Sequence, residues 1–220
     1  MKFSFEYLWK CLLSGVVYIP VTLRLALIPL FLGLVFGTLI ALARIFKVPV
    51  VEKVFKIFVA IYSGIPLMIT LLIFHLIYLS CFKPGKNGTM LLAYFTFTLS
   101  RTIILSETIR GAFLSIPKGQ YEAGYACGLS TFQTVKKIII PQMIPVALPN
   151  LTNNTLGSIK NTSIVLVLGV VDVLNGSTIP CVDTYSYVEG YVAAAIIYWA
   201  VNAVVEFFLV RLEKHLAKKR

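Results

Sequence analysis

Charge is scarce in this sequence. Only 13% of its 220 residues are charged, and only nine of those are acidic. Soluble domains average about 25% charged residues, so a water-facing globular domain fits poorly. Histidine is scarcer still. His75 and His215 are the two present, and neither has a companion that suggests catalysis. The four cysteines, Cys11, Cys81, Cys127 and Cys181, include no CxxC pair and none matched to a histidine. No metal site is expected from that pattern.

Other absences narrow the function. Paired membrane aspartates, a nucleophile–histidine pattern and an HxxxH-type cluster are all missing, and Asp172 stands alone in a short apolar run. An intramembrane enzyme would need such converging groups. There is no GxxxxGK[S/T] phosphate loop; Gly85-Lys86-Asn87 lacks both the upstream glycine spacing and the hydroxyl. The chain is therefore expected to hold no cofactor of its own. No repeat and no low-complexity segment appears, so residues 1–220 read as one domain. The inverted internal symmetry common in secondary carriers is also missing. A self-sufficient secondary carrier or channel thus stands as the alternative to the function reached below.

What is present is apolar surface. Hydrophobic residues make up 58% of the chain, and the mean hydropathy is +0.87. The net charge of +11 would suggest nucleic acid in a soluble protein. In a membrane protein it has another origin, because Lys and Arg gather in cytoplasmic loops. No nucleic-acid partner is expected. The cysteines read as small, unpaired apolar residues, with Cys81 and Cys181 placed to share one membrane face. Residues 1–14 form an amphipathic arm at the interface, with Tyr7 and Trp9 suited to headgroup depth. No small-residue cleavage site follows it, so no signal peptide is expected.

Crossing the hydrocarbon takes about 20 apolar residues as a helix. The expected spans are Val16–Ala43, Val54–Phe82, Met90–Glu107, Ile138–Ile159 and Tyr191–Val210, within a core of residues 16–210. The fold class is thus all-α, a polytopic membrane protein of about five helices. Ser163–Leu174 is too short to cross alone. It either extends the fourth span after a break near Gly157–Asn161 or dips in from outside. Thirteen of the twenty Lys and Arg fall in Arg44–Lys56, Arg110–Lys137 and the basic tail, residues 211–220. The arm and the loop near Pro84 hold two each, and Asn175–Glu189 holds none. The positive-inside rule then puts the N-terminus outside and the C-terminal tail in the cytoplasm.

Each polar residue inside a span needs a partner or a purpose. Glu107 and Arg110 stand at i, i+3 and can pair near the inner end of their helix; otherwise Glu107 faces the pathway and meets a substrate's amino group. Arg101 is expected to snorkel to the inner interface, and Arg24 to reach headgroups. Lys160, followed by Asn161, Thr162 and Ser163, adjoins the expected break. Broken spans carry substrate contacts in transporters, so these four either line the pathway or pin two spans together. Pro141, Pro145 and Pro149 recur every fourth residue, each freeing a carbonyl one turn back. A kinked, locally polar stripe follows, with Asn150, Asn153 and Asn154 available to solvate it. His75 is expected to make a hydrogen-bonded helix contact.

The loop at 118–137, between spans three and four, is unlike the rest. Ile116-Pro117-Lys118-Gly119 signals a turn. A helix can begin near Gln120 and end at Gly128, where glycine tolerates a left-handed cap. Ser130 or Thr131 can then cap a second helix, with Gln133 or Thr134 following. Ala123 and Gly124 remove side-chain bulk, so another surface can approach the first helix. A plain solvated connector is the other reading of the same residues.

The spacing Glu122-Ala123-Gly124-x3-Gly128-x9-Ile138-Ile139-Ile140-Pro141 resembles the EAA motif of permease subunits in ATP-binding-cassette importers. Gly replaces the motif's third small residue and Ile its Leu. SETIRGAFLSIPKGQYEAG, PQMIPVALPNLTN and SIKNTSIV resemble stretches of the polar amino-acid branch, with Asn161 where that branch has Asp. SGIPLMITLLIF resembles its Arg-Gly-Thr-Pro-Leu stretch, with Ser63 and Ile65 replacing Arg and Thr. The likeness runs from about Val21 to Val173. It implies a coupling helix that docks on a pair of cytoplasmic ATPase subunits, which bind the ATP and Mg. Glu122 would meet a basic or amide group there, Ala123 and Gly124 would allow close approach, Gly128 would set the turn, and Pro141 would close the motif. It further implies a second permease subunit, the same chain or a related one, and an extracytoplasmic substrate-binding protein. Glu107 matches the branch's Ser-Glu-x-x-Arg position.

Overall fold

A computed structural model describes residues 3–82 and 88–217. The Pro84 loop (residues 83–87) and the last three tail residues lie outside the described residues. In order, the helices are α1 (Phe5–Val16), α2 (Ile19–Ile45), α3 (Pro49–Ser63), α4 (Leu67–Cys81), α5 (Gly88–Leu114), α6 (Lys118–Ala126), α7 (Thr131–Thr134), α8 (Ile140–Asn161), α9 (Val173–Thr178) and α10 (Tyr187–Ala217). A π-turn (Val135–Ile139) leads into α8, and a 3₁₀ helix (Thr162–Leu168) leads out of it. Among the described residues, α2, α5 and α10 are long and apolar enough to cross a bilayer singly; two bent pairs raise the number to five.

α2 and α5 form the central pair. The buried face of α2 reads Thr22, Ala26, Gly33, Gly37 and Ala41, nearly all one turn apart. Small residues at that spacing let two backbones approach within a membrane. A methyl added at Gly33 would lie 2.5 Å from Arg101 Cβ, and one at Gly37 would lie 2.9 Å from the Ser106 nitrogen. Toward the C-terminal ends of α2 and α5, Ala41, Ile109, Phe113, Val135, Ile139 and Met143 join α2, α5, the π-turn and α8 in one apolar cluster, on which α6 rests.

Two expected spans differ in shape. The second is not one helix over 54–82. Gly64-Ile65-Pro66 splits it into α3 and α4, bent by 102°. Pro66 has no N–H to continue the ladder and biases Ile65 away from helical geometry. The fourth has no break at Gly157; α8 runs through it to Asn161 and passes directly into the 3₁₀ helix. The turn comes at Gly169, whose φ of +70° suits a residue without Cβ. Beyond it, α9 and its 3₁₀ extension (Ile179–Cys181) turn aside by 62°. Residues 163–168 therefore continue α8 as 3₁₀ helix, and residues 173–181 form a separate piece set at 62° to it.

α1 is an amphipathic helix. Ser4 caps it, and Phe5, Trp9 and Leu13 form an exposed apolar stripe. Its other face is seated: Cys11 packs on Cys181 with sulfurs 3.5 Å apart, and the Ser4 N–H donates to buried Glu189 at 2.9 Å.

Candidate coupling surface and transport pathway

The loop at 118–137 folds as its residues indicate. α6 ends at Ala126, and Gly128 takes φ +75°. Ser130 accepts from the Gln133 N–H at 3.3 Å while Gln133 accepts from the Ser130 N–H at 2.9 Å, a complete capping box. Gln142 ties α8 back to α6, its Nε2 donating to Gln120 Oε1 at 3.1 Å. Partial burial, with Tyr125 adding to it, pushes the Tyr121 phenol above its ordinary pKa. Glu122 and Ala123 are exposed. Gly124 is not: it faces α7, where an added methyl would sit 2.5 Å from Thr134 Cγ2. Its smallness serves internal packing, which differs from the open approach surface expected of it. Pro141 stands in the first turn of α8, directly after the π-turn.

Glu107 is held from two sides. One carboxylate oxygen accepts from Arg44 Nη1, and the other from Arg110 Nε at 3.0 Å and Nη2 at 2.7 Å. The Arg110 pairing follows from sequence spacing. Arg44 does not, because it comes from the end of α2, 63 residues earlier. α5 continues two turns past Glu107, so the triad lies within the helix, not at its end. Both carboxylate oxygens are occupied, which favours a bracing role over contact with a substrate's amino group.

Four other expectations are corrected or sharpened. Arg101 does not snorkel; it is 5% exposed and packs its stem against Gly33. Arg24 folds onto its own helix, donating to the Pro20 carbonyl at 3.1 Å. His75 Nδ1 is buried without a hydrogen-bond partner. On the proline stripe, Asn154 Nδ2 donates to the Asn150 carbonyl at 2.8 Å, which is not among the carbonyls that Pro141, Pro145 and Pro149 free.

The four residues from Lys160 on are dispersed around the end of α8. Thr162 is fully buried and bonds the Tyr198 hydroxyl at 3.1 Å. Tyr198 donates in turn to Asp172, whose other oxygen caps α9 by accepting from the Asn175 N–H at 3.1 Å. The buried Asp172 is therefore a structural hub that its isolation in sequence conceals; only the Asp-x-x-Asn cap spacing hinted at it. Ser163 bonds back to the Lys160 carbonyl at 2.9 Å, and Asn161 is half-buried. Lys160 is exposed and lines a cleft of about 370 Å³ between α8 and α10. Leu156, Tyr198, Trp199, Asn202 and Glu206 line it with Lys160.

Comparison with known proteins agrees with this architecture. The family profile of binding-protein-dependent transport system inner membrane components matches residues 20–218. The chain is 34% identical over 209 residues to the L-cystine transport system permease protein TcyL of Bacillus subtilis, spanning 92% of this chain and 87% of that one. It is 29% identical over 216 residues to the glutamine transport system permease protein GlnP of Escherichia coli, spanning 98% and 99%. Its fold matches the crystal structure of an amino acid ABC transporter with histidines, with a TM-score of 0.87 at 24% identity over 98% of this chain and 100% of that chain. It also matches the inward-facing MetNI methionine ABC transporter, with a TM-score of 0.73 at 18% identity over 97% and 99%. A bent-span bundle carrying an exposed loop helix, together with a family match over residues 20–218, places this chain in the family of binding-protein-dependent transport system inner membrane components.

Proposed function

We propose that this chain is the permease subunit of an ATP-driven importer that moves a polar amino acid into the cell, and that α6 is its coupling helix. The observation that carries this reading is the form of the 118–137 loop. A short helix, stopped by Gly128 and followed by the capping box of α7, stands on the apolar cluster joining α2, α5 and α8. Force applied to Glu122 and Ala123 reaches three spans through that cluster. A separate ATPase pair, binding ATP and Mg, supplies the force. A binding protein outside delivers the amino acid, and a second permease subunit completes the pathway. The N-terminus faces outward and the tail faces the cytoplasm, as the distribution of Lys and Arg favours. Lys160 and its neighbours, Asn161, Thr162 and Ser163, border the route through the membrane.

Charge reversal tests the coupling role directly. In proteoliposomes holding the whole complex, Glu122→Lys should leave ATP hydrolysis running while uptake falls at least tenfold. Cysteine placed at Ala123, in a Cys127→Ser background to silence the neighbouring exposed thiol, should cross-link to the ATPase. Normal uptake by the reversed variant, or labelling of position 123 from outside intact cells, would defeat the proposal.

A further inference from the structure

Two of the four cysteines meet in the fold. Cys11 of α1 and Cys181, the last residue of the 3₁₀ extension of α9, are both fully buried, with their sulfurs 3.5 Å apart. They stand 170 positions apart in sequence. Leu8, Leu12 and Ala193 pack around them. Cys81 and Cys127, by contrast, are exposed. Polar contacts fix the sulfurs' surroundings from both ends of α1. Ahead of Cys11, the Ser4 N–H donates to Glu189 at 2.9 Å; beyond it, the Ser14 hydroxyl donates to the Gly176 carbonyl at 2.7 Å. Two glycines make so close a seat possible. A methyl added at Gly15 would lie 2.0 Å from Ser177 Oγ, and one at Gly190 would lie 2.6 Å from the Cys181 sulfur.

Chemistry and compartment give this contact a further meaning. As thiols, the two side chains add only small apolar bulk and a weak donor. As a bonded pair, they would close a loop of 170 positions, and a cross-link constrains the unfolded chain more as its loop lengthens. Little movement is needed: bonded sulfurs stand about 2 Å apart. The contacts of α1 also put it on the same side of the membrane as residues 176–189. Asn175–Glu189 holds no Lys or Arg, the mark of an extracytoplasmic segment. Thiols stay reduced in the cytoplasm of most cells, whereas paired cysteines outside it are oxidised.

We infer that Cys11 and Cys181 join in a disulfide that fastens α1 to the 173–181 piece. The inference goes beyond the transport reading and rests on one part of it, an N-terminus that faces outward. The oxidant is a protein disulfide of the extracytoplasmic space. One cysteine thiolate attacks it, forms a mixed disulfide and expels one oxidant thiolate. The other cysteine then attacks the first one's sulfur and expels the second. Two electrons and two protons pass to the oxidant, which leaves as a dithiol. The exchange precedes the seating of α1. Burial, with the Cys181 sulfur adding to it, raises the seated Cys11 thiol above its ordinary pKa, so that almost no thiolate remains to attack. Once made, the bond is shielded from reductants by Leu8, Leu12 and Ala193.

The test counts free thiols. Cells carrying the whole transporter are quenched in acid, and the full chain is unfolded in N-ethylmaleimide and its intact mass measured. Of the four cysteines, two should be alkylated, and all four after prior reduction. Cys181→Ser should raise the count from two to three, although it removes a cysteine, and Cys11→Ser should do the same. Cys81→Ser and Cys127→Ser should each lower it to one. A pair that only packs gives four in the wild type and three in every variant, which would overturn the inference. A rise in the count on replacing Cys81 or Cys127 would overturn it too. Orientation is read separately with a membrane-impermeant maleimide on spheroplasts. The probe is Phe5→Cys, at a position 79% exposed, in a Cys81→Ser/Cys127→Ser background. Labelling from outside beside four free thiols in the wild type sinks only the disulfide. Labelling only after lysis sinks the outward N-terminus and the inference that rests on it. ATP-driven uptake, measured in the same strains, tests the transport reading independently of both.

Discussion

α4 and α5 are neighbours in sequence and opposites in packing. α4 contains no Asp, Glu, Lys or Arg, while α5 carries Arg101, Glu107 and Arg110. Hydrophobicity alone would bury α4 deeper. Instead α5 is the central helix, with Leu105, Ser106 and Thr96 fully buried, while Ile69, Leu76 and Ile77 of α4 lie exposed. Apolarity brings a helix into the bilayer, where lipid is as good a neighbour as leucine, and so it does not choose the helix's partners. Small residues choose them. α5 is central because α2 offers Gly33, Gly37 and Ala41 against it.

The largest effect should follow from filling that contact. Gly37→Leu would drive a side chain into the Ser106 nitrogen and the Thr102 carbonyl, each 2.9 Å from the first added carbon. These are backbone atoms and cannot rotate away. Overpacking typically costs about 1–3 kcal/mol, and more where the neighbour is rigid; we expect about 3 kcal/mol or more. The readout is the yield and melting temperature of the complex in nanodiscs. A variant that folds normally would show that α2 and α5 are held by something other than close approach.

Charge makes the second contribution toward the C-terminal ends of the same pair. Glu107→Gln would leave Arg44, whose side chain is 8% exposed, with a neutral partner. Breaking a fully buried pair costs about 3–5 kcal/mol. Glu107 is about one-third exposed, and solvent softens the loss, so about 2 kcal/mol is expected in the same melting assay. Arg44→Met combined with Glu107→Gln should recover part of it, since both charges then leave together. No recovery would mean that Arg44 acts through its stacking on the Phe55 ring, 5.4 Å away.

How much of this was legible beforehand depended on range. The loop's Gly128 turn and Ser130 cap were readable because each depends on residues within four positions. The spans were readable as apolar runs, and the Glu107–Arg110 pair as a helix spacing. Arg44 was not, because its contact spans the long separation between α2 and α5. Nor was the inward turn of Gly124, which only Thr134 across the loop reveals. The bend at Gly64-Ile65-Pro66 had a local signal, but a continuous apolar run outweighed it. Gly157 points the other way: a break is expected near Gly157–Asn161, yet α8 runs through Gly157 and gives way to the 3₁₀ helix only after Asn161. The Lys160 cleft was half visible, since Glu206 lies on a helix 46 positions away.

Gly124 extends the small-residue rule from the membrane into the loop. An alanine there would restore the third small residue of the motif, and helix propensity favours it by up to about 1 kcal/mol. The packing opposes it, since the added methyl would meet Thr134 Cγ2 at 2.5 Å and Oγ1 at 2.7 Å. We expect a net destabilisation of about 1 kcal/mol, read as faster hydrogen exchange across 118–134. Thr134→Ala removes both obstructing atoms, so the double variant should exchange more slowly than Gly124→Ala alone. Equal exchange in both would mean that the small residue answers to an outside surface and not to α7.

The smallest effect should come from α4. Leu76 is 62% exposed on that helix, and Leu76→Ala removes apolar surface that touches little within the chain. If lipid covers that surface, truncation exchanges leucine–lipid contact for alanine–lipid contact, and the hydrophobic effect contributes nothing to the difference. A shift within about 0.5 kcal/mol is expected, as for surface positions generally. The measurement is the melting temperature of the isolated chain beside that of the assembled complex. Equal, near-zero shifts in both keep α4 a lipid-facing helix. A loss above about 1 kcal/mol confined to the complex would instead make α4 a contact surface for a second subunit, and its exposure in the single chain would then mark an interface whose packing is supplied from outside.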